Sequence, residues 1–105
     1  MAETAQSIFE AKVKNYSKRL EVKVKRIVTK DLKNRWGSLT KDDVINLNVN
    51  LLKAPEEVID YIILHELCHL RIKEHSYHYW DLLHKFMPNY QDRIDWLKVN
   101  GSNLL

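Results

Sequence analysis

Near the start of the chain, Ile8, Ala11 and Val13 recur close to helical spacing among charged residues, predicting a weakly amphipathic helix from about Thr4 to Lys18. From Glu21 the pattern becomes alternation. Val22, Val24, Ile27 and Val28 stand among Lys23, Lys25 and Arg26, as in a half-buried strand. A short segment, Arg35 to Leu39, precedes a polar turn at Thr40 to Asp43. In the following run, Val44 to Asn50, Ile45, Leu47 and Val49 alternate with Asn46, Asn48 and Asn50. Together these predict a hairpin with one buried face. The asparagines belong either to solvent or to an edge that meets a partner, and near a reactive site such an edge would align an extended peptide by strand addition.

Pro55 marks the start of a second helix, with Glu56 and Glu57 complementing its dipole. The stretch from Val58 to Ile72 is apolar nearly all round and predicts a buried central helix. Ser76 is placed to cap a third helix that Pro88 stops near Met87. Asn89 and Asp92 open a fourth, on which Tyr90, Ile94 and Leu97 share a face and which Gly101 closes.

The chain has 105 residues, which suits one domain, and its two Gly and two Pro exclude collagen-like or linker-rich architectures. No apolar run approaches the about 20 residues of a membrane span, and no leader-like segment is recognisable, so the expectation is a cytoplasmic protein without membrane insertion. The single cysteine, Cys68, rules out an internal disulfide. A core this small gains from a ligated metal. The net charge of +3 divides unevenly, with the basic residues concentrated before Ala54. That half could attract nucleotides or nucleic acid, although no stacking aromatics are interleaved with its lysines.

All five histidines fall between His65 and His84, and the apolar helix contains His65-Glu66-Leu67-Cys68-His69, the HExxH pattern. Residues four apart on a helix lie about 6 Å apart along its axis on one face, so both imidazoles can reach one ion. Zinc accepts such nitrogens and, in catalytic sites, takes three protein ligands and leaves one position for water, for which Glu66 is placed as base. His75, ten residues after His65, leads as third ligand, with His78 next and Glu74 weaker. An unbroken helix would carry His75 about 15 Å away along the axis. The helix must therefore end between about Leu70 and Glu74. The interval equals that of metzincins, but Ile72 stands where they have the turn glycine, which predicts a left-handed non-glycine residue in the reversal. His84 reads as a surface residue, Cys68 as core, and Tyr77, His78 or Tyr79 as packing residues near enough to offer a hydrogen bond to an oxyanion.

These segments resemble the YgjP-like metallopeptidase domain, a relative in style of the SprT-like minimal zincins. The likeness rests on Arg35-Trp36-Gly37-Ser38, Ile45-Asn46-Leu47-Asn48, Ile59-Asp60-Tyr61, His65 to Leu70, His75-Ser76, Trp80, Met87-Pro88 with Tyr90, and Trp96-Leu97. It implies an α+β, zincin-like fold with a small antiparallel sheet on a central HExxH helix and further C-terminal helices. His65, His69 and His75 would ligate Zn²⁺ and Glu66 would act as general base. Leu39, Cys68 and Asn89 depart from the usual cysteine, alanine and aspartate. Family chains are often about twice as long, so by this resemblance residues 1–105 would correspond to the C-terminal catalytic core, as a single domain. The expected function is zinc-dependent hydrolysis of a peptide or protein substrate. The alternatives are nucleotide pyrophosphatase or phosphohydrolase activity, which the family's mixed description includes, and a non-enzymatic zinc-containing binding module.

Overall fold

A computed structural model describes residues 4–103. Helix α1 spans Ala5–Leu20 and starts at Thr4, whose side chain accepts the Ser7 N–H. It ends where Glu21 turns left-handed, and Phe9, Val13 and Leu20 are its buried positions. The strand expected from Val22 begins later. β1 is Arg26–Lys30, while Val22 and Val24 pack against the core from the loop before it.

β2 (Gly37–Leu39) and β3 (Val44–Asn48) form the expected hairpin, closed by Asp43 at positive φ and by the Thr40 N–H donating to the Val44 carbonyl at 2.9 Å. The second pairing corrects the all-antiparallel expectation. β1 runs parallel to β3, and the strand order is β1-β3-β2. β3 is therefore the central strand rather than an edge, and its backbone is occupied on both sides. The sheet edges are β1, which α1 reaches through Gln6, and β2.

The asparagines follow from that position. Asn48 is fully buried, Asn46 donates to the Ser38 hydroxyl at 3.2 Å, and Val49, expected in the core, is exposed. The strand ends at Asn48, two residues early, because its side chain accepts the Asn50 N–H at 2.9 Å and starts a 3-10 turn over Val49–Lys53. The Asn48 amide donates to the carbonyls of Leu32 (2.7 Å) and Arg35 (3.1 Å), and its backbone N–H donates to the Trp36 carbonyl (2.9 Å). These bonds hold the loop from β1 to β2.

α2 (Glu56–Cys68) is the buried helix, with Val58, Ile63, Leu64, Leu67 and Cys68 at 1% exposure or less. α1 is tied to it where Asp60 accepts from Lys12 (2.8 Å) and from the Tyr16 hydroxyl (3.0 Å). Gln6 ties α1 to β1, donating to the Ile27 carbonyl and accepting from the Thr29 hydroxyl. α3 (Tyr77–Phe86) begins after Ser76, whose hydroxyl makes no capping bond. α4 (Tyr90–Asn100) runs on through Gly101, which stays right-handed and lies against the Trp36 ring instead of closing the helix by a left-handed turn. The α+β, zincin-like class stands, with a mixed sheet. No described helix is long and apolar enough to cross a membrane.

Candidate metal centre

His65 lies in the last turn of α2, and His69 is the residue at which the helix stops. The N–H of His69 donates to the Glu66 carbonyl at 3.1 Å, three residues back, and Leu70 and Arg71 likewise donate to Leu67 and Cys68. Such 3-10 bonds tighten the chain and consume the terminal carbonyls. Regular helix thus ends just before the predicted window, and bonded turns carry the chain to Ile72. No left-handed residue is used in the reversal. Positive φ among the described non-glycine residues is confined to Glu21 and Asp43, so Ile72 occupies the metzincin glycine position without strain.

The reversal returns His75 to the helix end. Its Nε2 lies 2.9 Å from Nε2 of His69 and 3.3 Å from Nε2 of His65, and the three residues form a cluster whose donor atoms lie within 4.8 Å of one another. Tetrahedral coordination with bonds of about 2.0 to 2.1 Å spaces its donors about 3.3 to 3.4 Å apart. The histidines therefore fit a common ion. His69 Nδ1 faces the Ile72 carbonyl at 3.1 Å, which can only accept, so the proton sits on Nδ1 and leaves Nε2 with its lone pair for a metal. His75 is exposed but stacks on Trp80, with ring centres 5.7 Å apart. Desolvation, and then the neighbouring His69 and His65, hold it below the usual histidine pKa, favouring the neutral, ligating form.

Glu66 is 9% exposed, and its Oε2 is 3.1 Å from His65 Nδ1. β2 passes directly over it: a Cβ on Gly37 would lie 3.4 Å from Glu66 Cγ and 3.2 Å from the Asn46 carbonyl, so glycine permits the approach. Two depressions meet at this glutamate. One, of about 430 Å³, is walled by Trp36, Tyr61, Ile62, Ile94 and Leu97, with Arg35 and Lys98 also lining it. The other, of about 650 Å³, is more polar and includes Thr40, Lys41, Asp43, Lys73 and the rings of His69 and His75.

The remaining candidates stay outside the cluster. His78 lines a separate depression with Arg71, Asp81 and Lys85, His84 lies edge-on to Tyr90, and Glu74 is not among the grouped residues. Cys68 is fully buried, and burial pushes its thiol up to about 12. Tyr77 is 74% exposed. Tyr79 is the residue whose importance the sequence concealed: fully buried, it donates its hydroxyl to the His65 carbonyl at 2.7 Å and touches the rings of the histidine cluster. Its pattern position reads as ordinary core.

The description of the YgjP-like metallopeptidase domain matches residues 1–100, and the chain belongs to this family of metallopeptidases. Among solved structures, the metallopeptidase zymogen jannalysin of Methanocaldococcus jannaschii is similar at TM-score 0.77 and 26% identity, over 89% of this chain and 95% of that one. The metallopeptidase zymogen abylysin of Pyrococcus abyssi is similar at TM-score 0.71 and 26% identity, over 82% and 90%. A search among curated proteins finds no match.

Proposed function

We propose that this member of the YgjP-like metallopeptidase family is a zinc-dependent peptidase, a single catalytic unit in which His65, His69 and His75 hold the ion and Glu66 is the general base. The observation that carries this reading is the convergence of three Nε2 atoms beside a nearly buried glutamate. When bound, such an ion polarises a carbonyl and lowers the pKa of water towards about 7. Glu66 takes the proton of the attacking water as its oxygen adds to the carbonyl carbon. The C–N bond then breaks, and Glu66 passes the proton to the departing amine. Glu66 is suited to both transfers because it is nearly buried, lines both depressions, and has its carboxylate 3.1 Å from His65 Nδ1.

The sheet edge at β2 takes the role that the asparagine strand was expected to fill. Gly37 lines the apolar depression and Leu39 the polar one, so an extended peptide paired along β2 would pass Glu66 between them.

The test is metal content by elemental mass spectrometry, with peptide hydrolysis assayed on the same samples. We expect about one zinc per wild-type chain, clear loss of it in His75→Ala, and retained zinc without turnover in Glu66→Gln. A folded wild-type chain that stays metal-free after zinc is supplied refutes the ligand set, and undiminished turnover by Glu66→Gln removes that residue from the base role. Hydrolysis of nucleoside triphosphates in place of peptides would move the substrate to phosphoanhydrides.

A further inference from the structure

The last turn of α2 raises a question of support. A continuing α-helix would give the His65 carbonyl to the N–H of His69, four residues on. Here that N–H donates to Glu66 instead, and the His65 carbonyl receives the Tyr79 hydroxyl at 2.7 Å. Tyr79 comes from α3, the helix that follows His75. Its hydroxyl thus fixes the point where α2 stops and where the spacing between His65 and His69 is set.

The ring has a second role. It stacks on His69 with centres 4.6 Å apart and planes at 23°, and it meets His75 edge-on at 5.0 Å and His65 at 5.7 Å. One fully buried side chain therefore contacts all three imidazoles and bonds the backbone of one of them. Groups behind the ligands that fix their orientation typically change metal affinity by 10- to 100-fold when removed.

We propose that Tyr79 is the positioning residue of the metal centre, its hydroxyl locking the end of α2 and its ring spacing the three imidazoles for one ion. This rests on the reading of His65, His69 and His75 as ligands. Ordinary core packing would contribute to stability alone. Positioning would appear in the affinity and geometry of the site within folded protein.

The experiment compares Tyr79→Phe, which keeps the ring and deletes the hydroxyl, with wild type and with Leu83→Ala, a cavity variant four residues further along α3. Zinc affinity is measured by competition with a chelating dye, and site geometry by the visible spectrum after cobalt(II) loading. We expect zinc binding at least 10-fold weaker and an altered cobalt spectrum in Tyr79→Phe, with both near wild type in Leu83→Ala. If Tyr79→Phe folds only with zinc present, the readout is zinc release to excess chelator from protein folded with the metal, expected to be at least 10-fold faster. Wild-type affinity, spectrum and release rate in Tyr79→Phe would make Tyr79 a packing residue and leave the ligand set standing. Failure of wild-type protein itself to bind zinc would overturn both readings.

Discussion

Asn48 should be among the most sensitive positions outside the histidine cluster, and the cost of removing it can be worked from its bonds. Its amide donates to the carbonyls of Leu32 and Arg35, its oxygen caps the Val49–Lys53 turn by accepting the Asn50 N–H, and the Asn48 side chain itself has zero exposure. Each bond contributes about 1 kcal/mol net, and a buried partner left without one costs its desolvation besides. Asn48→Ala should therefore destabilise by about 3 kcal/mol, the sum of three such bonds. At about 4 to 8 °C per kcal/mol for a domain near this size, the melting point should fall by about 12 to 24 °C. Asn48→Asp should be at least as damaging, because it keeps the cap but turns a carboxylate oxygen onto two carbonyls. The assay is urea unfolding followed by far-ultraviolet circular dichroism, with the slope against urea checked for constancy between variants. A loss under about 1 kcal/mol in Asn48→Ala, or a milder effect in Asn48→Asp, would refute the bonding scheme from which the figure is built. Turnover per folded molecule should fall too, since the loop that Asn48 anchors leads through Trp36 to Gly37 above Glu66.

Chelation should lower the melting temperature, because an ion held only by the folded state stabilises it by about 2.7 kcal/mol at a hundredfold excess over Kd; an unchanged curve after verified metal removal contradicts that coupling. Burial pushes Tyr61 and Tyr16 up to about 12, helped by Glu66 and by Asp60 respectively. These protons are retained by the folded state beyond the unfolded value near 10, so the associated stability is complete below about pH 10 and lost as pH rises towards 12. A urea midpoint independent of pH from 9 to 11.5, or simultaneous ionisation of all five tyrosines near 10 in an absorbance titration, would refute the shifts. The Cys68 thiol, inside the core and hard to ionise, should resist a disulfide reagent in native protein at pH 8 and react once urea unfolds the chain. Rapid native labelling would contradict its burial.

The helices and the three candidate ligands were legible because their signals are local. Apolar recurrence around Ile59 to Leu67, Pro55 at a helix start and the HExxH spacing each depend on residues within a turn or two. The errors lie where distant segments meet. Alternation in Val44 to Asn50 suggested one wet face because nothing local reveals that β1 pairs along one side of β3 while residues 32–35 cover Asn48. The end of the sheet pattern at Asn48 likewise depends on a side chain turning onto its own backbone. Tyr79 reads as one aromatic among several, and its hydroxyl gains its role only when α3 docks on α2. Ile72 at the glycine position of the metzincin spacing predicts a left-handed reversal that the chain does not use. Successive 3-10 bonds close the distance in another way.

The strand order also sets a timetable for assembly. The central strand is the last of the three to be made, so β2 and β3 can close their short hairpin within about 1 to 10 microseconds while β1 waits for a partner. α1 waits longer, since its bonds to Asp60 span 44 and 48 residues. His65 and His69 emerge before His75 and Tyr79 do, and the contacts of Tyr79 with the three imidazoles form only after α3 has docked. If the three histidines hold an ion, its retention against a chelator would report the docking of α3 on α2, contacts spanning 10 and 14 residues, and would leave the more distant docking of α1 to be followed by a separate probe.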